Sequence, residues 1–137
     1  MATGEDIMDS LRIGRNDLVL EIGGGDAPFW RADVQCDIDL SESSERAGPI
    51  SSNALLLCGD VTALPFKNAS FDFVVCSQVL EHVTNPLRAC AELSRVARRG
   101  YIETPAYARE LLFGWPFHKW LVRRDKDVLV FSKNLLP

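Results

Sequence analysis

The run Leu-Val-Leu-Glu-Ile-Gly-Gly-Gly-Asp-Ala-Pro-Phe, Leu18 to Phe29, constrains this chain more than any other stretch. Val19, Leu20 and Ile22 form a short apolar run of the kind that becomes a buried strand, and it leads straight into three glycines. Gly23, Gly24 and Gly25 let the backbone take positive φ and pass close to a ligand, because no side chain stands in the way. Glu21 sits at the strand end, where a carboxylate can engage a cationic ligand. A tight turn between two strands would use the same glycines, so the loop alone leaves both readings open.

Later features favour a site. Asp37 and Asp39 end a second apolar run, Val34 to Ile38; Gly59-Asp60 ends a third, Ala54 to Cys58; Phe71 to Cys76 supplies a fourth that leads into Ser77. Open parallel sheets bind ligands at the carboxyl ends of their strands, so acids placed just after successive strands converge on one crevice.

At this point the chain resembles the class I S-adenosylmethionine-dependent methyltransferases, in the branch with the small generic methyltransferase domain. Val-Leu-Glu-Ile-Gly-Gly-Gly (Val19 to Gly25) is similar to the first family motif, and Gly-Asp-Val-Thr-Ala-Leu-Pro-Phe (Gly59 to Phe66) to the adenine loop. Ser70 to Val83, Ser-Phe-Asp-Phe-Val-Val-Cys-Ser-Gln-Val-Leu-Glu-His-Val, resembles the fourth strand and the helix after it. The likeness covers Asp17 to Pro105 and extends more weakly to Ser132. It implies a Rossmann-like, doubly wound α/β fold with a mostly parallel sheet in three layers, αβα, as one domain over residues 1–137.

The resemblance also implies roles. Glu21, Gly23, Gly24 and Gly25 would hold the amino-acid end of S-adenosylmethionine. An acid after the second strand would accept both ribose hydroxyls, which one carboxylate can do; Asp39-Leu40-Ser41 has the local look of the family pattern, Asp37 suits a shortened connection, and both stand as candidates. Asp60 would accept the adenine amine with Val61 beside the ring, and Ser77 would lie next to the methionine portion. Methyl transfer is an in-line displacement in which positioning supplies much of the acceleration. For a hydroxyl or acidic-carbon acceptor a general base helps, and His82, His118 and Glu103 are the candidates, with pocket-lining as the plainer role for His82.

Two departures from the family pattern stand out. Only Asp26 to Asp33 separate the glycines from the second strand, with Pro28 among them, so the usual first crossover helix is nearly absent and its N-terminal contribution to carboxylate binding is reduced; Arg31 or loop amides are the available substitutes. After the fifth strand the chain is short, which points to an abbreviated C-terminal part or to a sheet completed by a partner, including a homodimer.

The remaining segments read by local signals. Glu5 to Ile13 carries Ile7, Met8, Leu11 and Ile13 on one helical face before Gly14. Ser41 to Asn53 is polar, either a short helix or irregular. Pro86 to Arg99 predicts a helix with Asn85 as N-cap, Pro86 in the first turn, Gly100 as terminator and Leu87, Cys90, Ala91, Leu93 and Val96 inside. Arg88 and Glu92 read as a solvated ion pair, and the arginines at 95, 98 and 99 as a charged helix end. Tyr101 to Glu103 predicts the fifth strand and Asp127 to Phe131 a final one. Between them Phe113, Trp115, Phe117 and Trp120 surround His118, either as core or as a substrate-facing wall.

Composition sets the outer bounds. With 137 residues, 47% apolar and 25% charged, the chain has the make-up of an ordinary folded domain. A net charge of -4 leaves no basic footprint for nucleic acid. Cys36, Cys58, Cys76 and Cys90 form no Cys-x-x-Cys pair and have no neighbouring histidine cluster, so buried free thiols and no metal are expected. Met1 to Ser10 has neither a signal-peptide pattern nor an apolar span, giving the expectation of a cytoplasmic protein off the membrane. The resemblance implies methyl transfer to a small-molecule acceptor. Two rivals remain: a cofactor-binding module inactive without a partner or longer chain, and a nicotinamide-dependent oxidoreductase, which shares the glycine loop and ribose acid. The oxidoreductase fits less well, because no third glycine opens a helix after Gly25 and no catalytic domain follows.

Overall fold

Strand β1 (Val19–Ile22) is buried along its whole length, as its unbroken apolar flanks require of a central parallel strand. The computed structural model describes residues 4–41 and 48–135. Around β1 it assembles β2 (Val34–Asp37), β3 (Leu55–Cys58), β4 (Phe71–Ser77) and β5 (Ala97–Glu103) into a five-stranded sheet ordered β3-β2-β1-β4-β5. All four pairings are parallel. The order reverses between β1 and β4, and that switch point opens the crevice in which doubly wound sheets bind ligands.

Side chains alternate across the sheet with period two. Leu20, Ile22, Cys36, Val74 and Cys76 face one layer, where helix α2 (Pro86–Val96) contributes Ala89, Leu93 and Val96. Val19, Phe73 and Val75 face the other, covered by Ile13, by Met8 and Leu11 of helix α1 (Gly4–Leu11) and by Phe29. The three-layer αβα expectation is met with one helix per face at the sheet's centre. Leu20 and Val19 are fully buried, each stabilising the fold by about 1.5–3 kcal/mol over an exposed position.

Asn85 caps α2, its Oδ1 accepting the Arg88 amide at 3.0 Å, a contact of about 1 kcal/mol. The helix ends at Val96, three residues before the expected Arg99, because Ala97 and Arg99 pair with Phe71 and Phe73 of β4. Gly100 is therefore a strand residue; a Cβ there would lie 2.9 Å from the Val74 carbonyl oxygen. The buried face of α2 is Pro86, Ala89, Leu93 and Val96, and Leu87 is exposed.

The arginines are more engaged than solvated helix ends would be. Glu92 pairs with Arg95 at 2.7 Å, while Arg88 donates to the Thr62 carbonyl. Arg95 also donates to the Phe66 and Leu64 carbonyls, tying the 62–69 loop to α2. Arg99 donates to the Arg12 carbonyl and to Asp17, and its guanidinium lies 5.5 Å from the Phe73 ring centre.

Between β1 and β2 there are only turns, as the short connection and Pro28 foretell. Arg31 braces this segment by donating to the Arg15 and Asp17 carbonyls and to Asp33. Residues 78–85, expected to hold the helix after the fourth strand, are irregular until α2 begins. Gln78 there takes φ +55°, a sparsely used conformation, with its amide bonded to the Glu103 carbonyl. The Ser41 to Asn53 expectation falls largely outside the described residues.

Two C-terminal elements were not foreseen. Helix α3 (Tyr107–Phe113) precedes strand β6 (Trp120–Asp125), which pairs antiparallel with β7 (Val128–Lys133). This hairpin forms its own sheet and does not extend β5. It is pinned instead to the β4–α2 turn: the amides of Lys119 and Trp120 donate to the Glu81 carbonyl, and Trp120 Nε1 donates to that of Val83. Of the aromatics around His118, Phe113, Trp115 and Phe117 are exposed, so the core reading fails for them. Among the thiols, Cys36 and Cys76 are buried and Cys90 half-buried, whereas Cys58 is exposed; all four are free. No helix among the described residues is long and apolar enough to cross a membrane.

Candidate functional site

The carboxyl ends of the strands line up as Asp60, Asp37, Glu21 with the glycines, Ser77 and Glu103, following the strand order. At the switch point the loops after β1 and β4 touch: a Cβ on Gly23 would sit 2.5 Å from Val79 Cγ2. Gly23 and Gly25 both adopt positive φ, +68° and +57°. The Gly23 amide donates to the Cys36 carbonyl at 2.9 Å, fixing the loop against the end of β2.

Glu21 is buried and holds the loop from below. Its Oε1 accepts the Phe29 amide and its Oε2 the Gln35 side-chain amide, both at 2.7 Å. A Cβ on Gly24 would lie 2.7 Å from Glu21 Oε2, so the carboxylate runs directly under the glycine backbone. Burial raises its pKa above the ordinary 4.5, and the two hydrogen bonds offset only part of that rise. Each carboxylate oxygen retains a second lone pair for a further donor.

Between the glycine loop and β2 lies a narrow recess lined by Gly24, Gly25, Gln35, Cys36, Asp37, Ile50, Ser51 and Leu56. The Ser51 amide donates to the Gly25 carbonyl, closing one wall. Asp37 is buried in this lining, whereas Asp39 is exposed and turns back on its own segment, accepting from the amide and hydroxyl of Ser41. Asp60 is exposed at the end of β3, its Oδ1 accepting from the Thr62 amide and hydroxyl. Val61 is buried among the core residues. Ser77 is half-buried at the end of β4.

The three candidate bases separate into two groups. Glu103 is exposed and occupied by Tyr101 Oη at 2.7 Å and by Gln78 Nε2 at 3.2 Å. His82 and His118, distant in sequence, meet edge to face with ring centres 4.7 Å apart. Glu110 of α3, buried and unforeseen, holds His118 Nδ1 at 2.5 Å. Phe117 stacks on His82, and Trp115 on Phe117.

Glu81 completes the group. It is almost wholly buried, and burial pushes its pKa up to about 7. One carboxylate oxygen, one nitrogen of His82 and one of His118 lie within 4.8 Å of one another. The sequence argues against a histidine cluster only beside the cysteines, and this group contains no thiol: Glu81 and His82 come from the β4–α2 turn and His118 from the segment that the Glu81 carbonyl ties to it. Glu81 stood in view beside His82 in the sequence, but nothing local marks Glu110, eight positions before His118, as its partner.

Fold and site together define a doubly wound α/β domain with a crevice at its switch point. Residues 20–102 match the methyltransferase domain family, and the chain belongs to that family, within the class I S-adenosylmethionine-dependent methyltransferases. An uncharacterized protein of Methanocaldococcus jannaschii is 45% identical over 133 residues, covering 86% of this chain and 58% of its own length. The demethylmenaquinone methyltransferase of Roseiflexus castenholzii is 34% identical over 91 residues, covering 59% of this chain and 38% of its own length. The chain thus spans between 38% and 58% of the length of these two curated relatives. Among solved structures, a candidate S-adenosyl-L-methionine-dependent methyltransferase of Methanococcus maripaludis shares the fold with a TM-score of 0.54 at 17% identity, covering 72% of this chain and 52% of its own. A candidate methyltransferase of Haloferax volcanii, solved with the Trm112 methyltransferase activator, gives 0.53 at 17% identity over 92% of this chain and 73% of its own.

Proposed function

We propose that the crevice binds S-adenosylmethionine and that the protein transfers its methyl group to a small-molecule acceptor. The observation carrying this reading is the contact between the glycine loop and Val79 at the switch point, with the Asp37-lined recess beside it. A Cβ at Gly23 would strike Val79 and one at Gly24 the Glu21 carboxylate, so bare backbone is what lets the loop close onto Val79 and onto the acid beneath it. Glu21 would accept from the ammonium of the amino-acid end, Asp37, which lines the recess, would take the ribose hydroxyls in preference to the exposed Asp39, and Asp60 would receive the adenine amine with Val61 beside the ring. Ser77 and Val79 would border the methionine portion.

The bound cofactor supplies an electrophilic methyl group. The chain's task is to hold the acceptor in line with it and keep water out, which suits the half-buried turn from Ser77 to His82. Of the candidate bases, His118 is backed by a carboxylate, so that Nδ1–H donated to Glu110 leaves Nε2 as the proton acceptor. Glu103, held by Tyr101 and Gln78, suits positioning better than proton transfer.

A second reading, a cofactor-binding module that needs a partner for turnover, is favoured by the free β5 edge, where Tyr101 and Ile102 are exposed and the hairpin does not join. Calorimetric titration with S-adenosylhomocysteine and, separately, NADH tests both: the first ligand alone should bind. Binding without turnover across an acceptor panel, restored by a partner chain, would select the module. Binding of NADH alone would overturn both.

A further inference from the structure

We propose that Glu81, His82 and His118 form a binding site for one divalent first-row transition ion of the zinc type. The donor set is two imidazoles and one carboxylate, which suits such ions and leaves a fourth position open. Their donor atoms lie within 4.8 Å of one another, and His82 Nε2 is 3.9 Å from Glu81 Oε1. Ligands on a tetrahedral ion at ~2.1 Å stand roughly 3.4 Å apart, so the Glu81–His82 pair must close by about 0.5 Å and no pair by more than about 1.4 Å.

Two independent observations point to a ligand there. Glu81 is 1% exposed, and its Oε2 has no hydrogen-bond partner among the described residues. A buried carboxylate oxygen without a donor is costly and rare, and a cation would satisfy it. The second is the support behind His118. Glu110 grips Nδ1 from within the fold, the carboxylate–histidine arrangement that fixes ring orientation and tautomer and leaves Nε2 to bind a metal. Phe117 stacked on His82 adds an apolar wall, and the His82 side chain, 27% exposed, marks the way in from solvent.

The site rests on side chains outside the Glu21–Asp60 half of the crevice, so it stands whether or not S-adenosylmethionine binds. With the cofactor reading in place, the site lies on the β4–α2 turn, which follows Ser77 at the end of β4. An oxygen donor of the acceptor would bind there, and the ion would lower its pKa; His118 would then act as a ligand, not as a free base.

The test is zinc titration of the chelator-stripped protein by calorimetry, with cobalt as spectroscopic probe and circular dichroism as the check on folding. Wild-type protein should bind one zinc per chain and give the visible band of a four-coordinate cobalt site. Glu81→Gln and His82→Ala should each weaken zinc at least a hundredfold, and Glu110→Gln, which alters only the support, by ten- to a hundredfold. Cys58→Ser, which removes the exposed thiol, should change nothing. His82 is half-buried and the mildest of these to replace, so its variant keeps the test open if Glu81→Gln misfolds. Absence of zinc binding by folded wild type, or equal binding by folded His82→Ala, would overturn the proposal. Loss of binding in Cys58→Ser would do the same by assigning the ion to the thiol. S-adenosylhomocysteine affinity, measured on the same samples, reports separately on the cofactor reading.

Discussion

Replacing Glu21 by Gln isolates the charge under the glycine loop from the shape of the loop. Glu21 accepts two donors, the Phe29 amide and Gln35 Nε2, while Gln35 Oε1 has no partner among the described residues. A glutamine at position 21 can keep both contacts if the Gln35 amide turns over, its oxygen then accepting from the new side-chain N–H. Hydrogen bonds are conserved in number, and stability should change by less than about 1 kcal/mol. The cofactor's ammonium would lose a charge-assisted contact of about 1.5–3 kcal/mol, which is a weakening of roughly ten- to 150-fold in Kd.

The same variant carries a pH signature. In the folded protein the Glu21 pKa lies above 4.5 because the carboxylate is desolvated. Below 4.5 the group is neutral in both folded and unfolded chains; above it the unfolded chain loses its proton first, so folding stability falls as pH rises through the raised value. Glu21→Gln removes that slope, and its stability relative to wild type should increase as pH rises above 4.5 and level off once Glu21 is ionised in the folded protein, as read by urea denaturation. S-adenosylhomocysteine affinity within about twofold of wild type would refute the ammonium role. A variant that no longer unfolds cooperatively would refute the turnover of Gln35.

Asp37→Asn should weaken S-adenosylhomocysteine about tenfold, whereas Asp39→Asn should leave it within about twofold, as a lost charge-assisted contact at the recess would require; calorimetry on the pair decides which acid takes the ribose. Gly23→Ala forces a side chain into φ +68° and onto Val79, and should cost about 1–3 kcal/mol in urea denaturation while reducing cofactor affinity. Gly100→Ala meets the Val74 backbone in β4 and should cost a similar ~1–3 kcal/mol, with the affinity of the folded fraction unchanged.

Where local sequence dictates structure, the reading was sound. The strands that carry Glu21, Asp37 and Ser77 toward their carboxyl ends, and the one that Asp60 follows, are short apolar runs bounded by turn residues, and their ends require no knowledge of partners. The same reasoning failed at Gly100, since a glycine after a basic helix carries the sign of a terminator, yet pairing of Ala97 and Arg99 with β4 had already ended the helix. Arg95 and Arg99 look like solvated charges until the carbonyls of Leu64, Phe66 and Arg12 are brought to them from far along the chain. The convergence of Glu81, His82, Glu110 and His118 is of this long-range kind. It depends on the Glu81 carbonyl accepting two amides from the start of β6, a contact without a sequence signature.

The missing crossover helix leaves one further mark on this molecule. A helix would have secured the chain after the glycines through its own backbone ladder; here the Phe29 amide depends on the Glu21 carboxylate instead. That single proton therefore sits between the folded crossover and the ligand that would share the carboxylate. Its rate of exchange with deuterium should slow when the amino-acid end is held, and quicken when Glu21 is neutralised, making one amide a gauge of how often the pocket comes open.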